Sequence, residues 1–176
     1  EKLKERGCSK IFIPRSAELN LTDKKACHEV VQGQDLVIHL AGLVGGIGLN
    51  KEKPGTLFYN NIIMGVQLME EARKANIEKL VVVGTICSYP KFTPTPFKEE
   101  DLWEGYPEET NAAYGIAKKA LLVQAQVYRQ EFNFNAIYLL PVNLYGPFDN
   151  FNIKSSHVIP AIIKKIYDAK IENKDH

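Results

Sequence analysis

Hydrophobic residues recur along the chain in two alternating patterns. Short, continuous apolar runs predict strands at residues 10–14, 35–41, 79–84 and 136–141. Longer segments with helical spacing predict a helix that starts at residues 22–23 and further helices at 55–75, 112–132 and 158–169. Because helices alternate with strands that are apolar on both faces, the pattern predicts an α/β fold with a doubly wound parallel sheet, covered on both sides.

The composition is that of a soluble globular domain. Hydrophobic residues make up 45% of the 176 residues and charged residues 24%. The net charge of +1 gives no basis for binding nucleic acid or an anionic membrane, and the apolar run at 36–44 is too short to span a bilayer. The three cysteines form no CxxC pair, which favours a reducing compartment over a disulfide framework or a structural zinc site. We therefore expect a cytoplasmic protein with no metal site.

Three glycines follow the second predicted strand in a G-x-x-G-x-x-G pattern, at Gly42, Gly45 and Gly48. The pattern is open to two interpretations, a dinucleotide-binding fingerprint or a loop of permissive backbone near a cofactor. We favour the loop, because residues 50–54 end in Pro54 and should interrupt the helix that such a fingerprint needs. Residues 1–7 resemble the end of a helix, so we expect the first strand and its glycine turn to lie upstream.

Tyr114 and Lys118 form the most suggestive chemical pair in the chain. They are four residues apart on a predicted helix and therefore share one face of it. A lysine held near a tyrosine favours the phenolate, so the pair is suited to proton transfer near neutral pH. The same spacing also occurs on solvated helix surfaces, so the interpretation depends on the surrounding motifs.

Those motifs resemble the extended short-chain dehydrogenase/reductase family, and within it the branch that epimerises and reduces GDP-sugars. The resemblance runs from about Leu19 to Ala161. Its carriers are the segments at 18–23 (ELNLTD), 44–47 (VGGI), 87–91 (CSYPK), 111–118 (NAAYGIAK), 141–147 (PVNLYGP), 149–151 (DNF) and 155–161 (SSHVIPA). The CSYPK and SSHVIPA segments are the narrower ones and indicate the branch.

The resemblance implies an activity and an architecture. The activity is NADP(H)-dependent 3,5-epimerisation and 4-reduction of GDP-4-keto-6-deoxy-D-mannose to GDP-L-fucose. Residues 1–150 would form a partial, Rossmann-like dinucleotide-binding domain without its first βα unit, and residues 151–176 the start of the sugar-nucleotide region. We expect a chain truncated at both ends to lack activity in isolation. The resemblance also implies a homodimer through the helices near 55–75 and 112–132, and the second of these helices carries apolar residues around more of its surface than one buried face requires.

The same resemblance assigns the reduction to three residues. Tyr114 would protonate the C4 carbonyl oxygen as hydride arrives, and Lys118 would lower the pKa of Tyr114 and contact the nicotinamide ribose. Thr85 stands where the family normally has serine, a departure that keeps the hydroxyl group. Without the resemblance, the preferred interpretation of Thr85 is a strand-end residue that caps its own backbone.

Epimerisation would use Cys87 and His157. A ketone at C4 acidifies the protons on C3 and C5, so the reaction needs a base on one face of the sugar and an acid on the other. The resemblance places Cys87 and His157 in these two roles. Read alone, Cys87 is more typical of a small buried apolar residue, and His157 of an incidental histidine at a helix start.

The expected cofactor contacts lie along the whole chain. They are Arg15, Asp23, Ala41, Gly42, Tyr114, Lys118, Asn143, Leu144 and His157. Arg15 would hold a 2′-phosphate, although it is equally typical of an ordinary surface arginine. We also expect Asn61 to pack near the active site and His39 to be structural.

Two other functions remain open. The first is a different NAD-dependent nucleotide-sugar epimerase or dehydratase of the same fold, which would need no cysteine and histidine pair. The second is a non-catalytic domain or fragment that keeps the fold as a binding scaffold.

Overall fold

The computed structural model describes residues 2–153 and 156–172. Its helices are α1 (Lys2–Glu5), α2 (Lys24–Val31), α3 (Ile47–Glu52), α4 (Pro54–Lys74), α5 (Ala112–Phe132) and α6 (Val158–Ile171). Its strands are β1 (Leu36–His39), β2 (Lys79–Val83) and β3 (Ala136–Leu139), and two 3₁₀ helices span Ile86–Ser88 and Glu99–Trp103. None of the helices in this part of the chain combines the length and the apolar character that crossing a bilayer requires.

The three strands form one parallel sheet in the order β1–β2–β3. His39 of β1 pairs with Val82 of β2, and Val82 pairs with Tyr138 of β3. Register partners in a parallel sheet project to the same face, so these three side chains form a row across the sheet. The predicted α/β class with a parallel sheet is confirmed.

The hydrophobic core lies between one face of the sheet and the helices α2, α4 and α5. Leu68, Met69 and Leu121 from the helices and Leu80 and Val82 from β2 are buried in it. On the opposite face, Leu36, Ile38, Ile137 and Leu139 are between 36% and 47% exposed. The apolar character of the strands on both faces is as predicted, but only one face is packed in the part of the chain that the structure describes.

The helix boundaries follow from local chemistry. The Asp23 carboxylate caps α2 by accepting a hydrogen bond from the Lys25 backbone N–H at 2.9 Å. Pro54 occupies the first turn of α4, where its missing N–H costs nothing. The predicted helices at 55–75 and 112–132 are confirmed, and the last helix extends two residues beyond the predicted end at 169.

One prediction about the N-terminal half needs correction. Residues 10–14 form no strand, because they pair with neither edge of the described sheet and leave Phe12 and Ile13 exposed. A strand without a neighbour has no partners for its backbone groups. A short helix that was not predicted, α3, begins after Gly46 and has only six residues. It ends at Glu52, before Lys53 and Pro54, so the predicted interruption of the helix is confirmed.

Candidate active site

The candidate site forms where the chain leaves β2. Thr85 lies two residues after the end of the strand, and its side-chain oxygen accepts a hydrogen bond from the Cys87 backbone N–H at 3.2 Å. This bond caps the 3₁₀ turn Ile86–Ser88, which presents Cys87 as a half-buried free thiol. The capping role considered for Thr85 is therefore real, and it leaves the hydroxyl proton of Thr85 available to donate.

Helix α5 packs against this turn without any intervening side chain. A Cβ atom at Gly115 would overlap the backbone carbonyl of Cys87, so only glycine allows the approach. The Ser88 hydroxyl donates to the Gly115 carbonyl at 2.9 Å. As a result the residue before Gly115, Tyr114, lies close enough to Cys87 for a charge on Cys87 to affect its titration.

Burial governs the protonation of Tyr114 and Lys118. Burial, followed by the charge of Cys87, raises the pKa of Tyr114 above its ordinary value. Lys118 is only 4% exposed, and burial lowers its pKa to about 8. We expected Lys118 to lower the pKa of Tyr114, and the direction found here is the opposite, because desolvation opposes the charged form of both groups.

His39 lies in the same buried row as Val82 and Tyr138. It is 3% exposed, and neither ring nitrogen has a hydrogen-bond partner among the described residues. Burial, followed by the charge of Lys118, lowers the pKa of His39 to about 4. His39 is therefore neutral at physiological pH, and protonating it would place a second positive charge near Lys118.

The loop after β1 is held by Asn61 of α4. The Asn61 amide donates to the Leu43 carbonyl at 2.9 Å, and its oxygen accepts from the Leu43 N–H at 3.0 Å. Asn61 is 2% exposed and also donates to Leu57 in its own helix. The clamp fixes the exposed segment that contains Ala41 and Gly42, which the sequence assigned to the cofactor.

Several predicted cofactor residues converge on one edge of the sheet. Ala41 and Gly42 follow β1, Thr85 follows β2, and Asn143 and Leu144 follow β3. Since the strands are parallel, all of these positions lie at the carboxyl-terminal edge, where open α/β sheets bind their ligands. The exposed residues at 41–42 and 143–144 therefore lie where such a sheet would hold a dinucleotide.

Asp23, Arg15 and His157 were also predicted as site residues, and the structure shows no bond between them and Cys87, Tyr114 or Lys118 among the described residues. Asp23 caps α2, and the exposed Arg15 uses its backbone N–H to bond the Glu18 carboxylate at 3.1 Å. His157 is exposed and precedes α6, without a side-chain capping bond. No hydrogen bond or ion pair in the described part of the chain joins His157 to Cys87, and Ser155, from the motif around His157, lies outside the described residues.

Sequence reasoning missed three residues that hold the site together. Ser88 and Tyr138 donate hydrogen bonds to the carbonyls of Gly115 and Lys118. The ammonium of Lys119 donates to the Leu102 carbonyl and lies 4.3 Å from the centre of the Trp103 ring, which ties the second 3₁₀ helix to α5. The only sequence signal for Lys119 was its position in an otherwise apolar stretch of α5.

Comparisons with known proteins identify the family of the chain. The family model described as "NAD dependent epimerase/dehydratase family" matches residues 1–174, and the chain belongs to that family. A GDP-L-fucose synthase of Sinorhizobium fredii is 38% identical over 173 residues, which cover 97% of this chain and 55% of the relative. A GDP-L-colitose synthase of Yersinia pseudotuberculosis is 38% identical over 162 residues, or 90% of this chain and 52% of the relative.

A solved structure gives the same result for the fold. The GDP-mannoheptose C4 reductase from Campylobacter jejuni, with NADP bound, superposes with a TM-score of 0.90 at 28% identity. The match covers 97% of this chain and 51% of the reductase. The chain therefore spans about half the length of the relatives it matches.

Proposed function

We propose that the complete protein converts GDP-4-keto-6-deoxy-D-mannose to GDP-L-fucose with NADPH, by epimerisation at C3 and C5 followed by reduction at C4. The observation that carries the proposal is the direct packing of the Cys87 turn against α5 at Gly115, which brings a thiol beside the Tyr114 phenol. A thiol is suited to removing acidified C–H protons, and a phenol to protonating a carbonyl oxygen. The names of the relatives support the GDP-sugar as the substrate.

Epimerisation is the first half of the reaction. The C4 ketone lets a base remove the proton on C3 or C5, and an acid on the other face returns a proton with inverted configuration. Cys87 acts on one face. We assign the other face to His157, whose exposed position before α6 leaves its imidazole accessible.

Reduction is the second half. NADPH, when bound, supplies a hydride to C4. The raised pKa of Tyr114 keeps its phenol protonated at physiological pH, so Tyr114 donates that proton to the C4 oxygen. Lys118, whose pKa is about 8, then reprotonates the phenolate, since both forms of its amine are present near neutral pH.

The cofactor is held by the loops at the carboxyl-terminal edge of the sheet. Ala41 and Gly42 lie on the segment that Asn61 clamps, and Asn143 and Leu144 follow β3. We assign Asp23, at the start of α2, to the adenine side and Arg15 to the 2′-phosphate that distinguishes NADPH from NADH.

A second candidate is reduction at C4 of a different GDP-4-keto sugar. It is favoured by the colitose synthase and the mannoheptose reductase among the relatives. The Tyr114 and Lys118 chemistry would be unchanged, and only the use of Cys87 and His157 would differ. Solvent deuterium in the product separates the candidates, because epimerisation exchanges the protons on C3 and C5 and reduction alone does not.

We also propose that α4 and α5 form a homodimer interface. The two helices pack side by side, and Tyr59, Val123, Val127 and Phe132 on them are between 43% and 60% exposed. Exposed apolar side chains on two helices that pack together favour burial against a second copy. Sedimentation of the complete protein at micromolar concentration tests this, and a monomer would contradict it.

Product analysis tests the activity. The complete protein is incubated with NADPH and GDP-4-keto-6-deoxy-D-mannose, and the nucleotide sugar is identified by NMR. We expect GDP-L-fucose from the wild type and from Cys8→Ser, which changes a half-buried cysteine near the N-terminus and serves as the control. Cys87→Ser should lose epimerisation yet still reduce a ketone that has already been epimerised. GDP-6-deoxy-D-talose or GDP-D-rhamnose from the wild type would contradict the proposal, because both retain the original configurations at C3 and C5.

A further inference from the structure

Two hydroxyl groups, one from the turn after β2 and one from β3, bind consecutive turns of α5. Ser88, which is fully buried, donates to the carbonyl of Gly115 at 2.9 Å. Tyr138 of β3 donates to the carbonyl of Lys118, also at 2.9 Å. A helix carbonyl has a second lone pair, so it accepts these bonds without giving up its bond within the helix.

The two donors also lie near each other and near the end of β2. Ser88 is close enough to the Tyr138 hydroxyl to affect its pKa. The Tyr138 ring covers Gly84 so closely that a Cβ atom there would overlap it. Gly84 immediately precedes Thr85, so one polar cluster joins the end of β2, the turn that carries Cys87, and the two turns of α5 that carry Tyr114 and Lys118.

We propose that Ser88 and Tyr138 are positioning residues that lock α5 onto the Cys87 turn, and so set the separation of Cys87 from Tyr114. The inference rests on the proposed function and deepens it. The thiol and the phenol must act on neighbouring carbons of one sugar, and their spacing is determined by how α5 sits on the turn. Gly115 makes the close approach possible, and the two hydroxyls select one position of the helix along the turn.

The lock predicts a specific kinetic signature. In the complete protein, Ser88→Ala and Tyr138→Phe should each lower kcat on the order of 10-fold, since small misplacements of reacting groups have effects of this size or larger. The KM for NADPH should change less than kcat, because most of the residues assigned to the cofactor lie on loops that Ser88 and Tyr138 do not hold. The double variant should lose less than the product of the two single losses, because the hydroxyls share one cluster.

A second measurement tests the lock without any substrate. Hydrogen exchange should become faster at the backbone amides of residues 86–88 and 112–118 in the double variant, while the amides of α2 keep their protection. Tyr128→Phe is the matched control, because it removes a tyrosine hydroxyl from a bond to Glu70 farther along α5. It should change neither the exchange at these amides nor kcat.

The outcomes separate this inference from the proposed function. If the wild type reduces no GDP-4-keto sugar, the proposed function fails, and the exchange experiment still decides whether the lock exists. Unchanged exchange at residues 86–88 and 112–118 would overturn the lock, as would a kcat within twofold of wild type in both single variants.

Discussion

Gly115 of α5 lies directly against the backbone carbonyl of Cys87, with no room for a Cβ atom between them. Gly115→Ala should therefore push the helix away from the turn or strain both. We expect a loss of about 1–3 kcal/mol in the free energy of unfolding, typical of overpacking, together with a fall in kcat. Urea denaturation measures the first effect and steady-state kinetics the second. Gly55→Ala is the control, because a Cβ atom there meets nothing within 4 Å.

Asn61 should be needed for cofactor binding although its own side chain faces the Leu43 backbone. Asn61→Leu removes both hydrogen bonds to Leu43 and leaves buried polar groups unpaired, a cost of about 1–3 kcal/mol. We expect weaker NADP⁺ binding by calorimetry in the complete protein. Asn60→Leu is the matched control, because among the described residues the adjacent Asn60 donates to the Thr56 carbonyl of its own helix and not to the loop after β1. Equal NADP⁺ affinity in the two variants would contradict the clamp.

Lys118 should destabilise the fold at neutral pH. Burial lowers its pKa from 10.5 to about 8, so the unfolded chain binds one more proton than the native state between these values. Stability should therefore rise as the pH increases from about 8 towards 10.5. Lys118→Met should be more stable than the wild type at pH 7 by up to about 3 kcal/mol, and the difference should shrink above pH 8. Denaturant titrations from pH 7 to 10.5 measure it, and a Lys118→Met variant less stable than wild type at pH 7 would contradict the account.

His39 should make the fold sensitive to mild acid. Burial and the charge of Lys118 lower its pKa from 6.5 to about 4, so the native state binds fewer protons than the unfolded chain in this range. The contribution of neutral His39 to the free energy of unfolding is fully present above pH 6.5 and is lost as the pH falls towards 4. Between pH 6.5 and 4.5 the change in stability reflects the protonation of His39 rather than that of Glu70. The pKa of Glu70 is lowered from 4.5 to about 2, so its contribution to stability is lost only below pH 4.5. The slope of unfolding free energy with pH should be smaller in His39→Gln, and equal slopes would be evidence against this origin.

Periodicity predicted the elements whose stability is local or whose apolar face is unambiguous. α4, α5 and the three paired strands were expected at nearly their observed bounds. Residues 10–14 look like a strand because they are apolar, but strand formation depends on a neighbour, which a run of residues cannot reveal. α3 was missed because its six residues, Ile47–Glu52, are too few to show a period.

For the site, too, the sequence predicted some features correctly and missed others. The motifs named Thr85, Cys87, Tyr114 and Lys118, and the fold brings these residues to one end of the sheet. The pKa of Tyr114 was predicted in the wrong direction, because helix spacing gives the proximity of Lys118 but not the burial of either group. Ser88 and Tyr138 were missed because their hydrogen bonds span 27 and 20 residues of sequence.

We propose that Cys87 and Tyr114 divide one reaction between them. The most direct test follows solvent deuterium at C3 and C5 of GDP-4-keto-6-deoxy-D-mannose, and reduction at C4, in Tyr114→Phe and Cys87→Ser of the complete protein. Tyr114→Phe should incorporate deuterium at C3 and C5 and fail to reduce. Cys87→Ser should incorporate no deuterium and should reduce a ketone supplied already epimerised. Deuterium incorporation at the wild-type rate in Cys87→Ser would contradict the account.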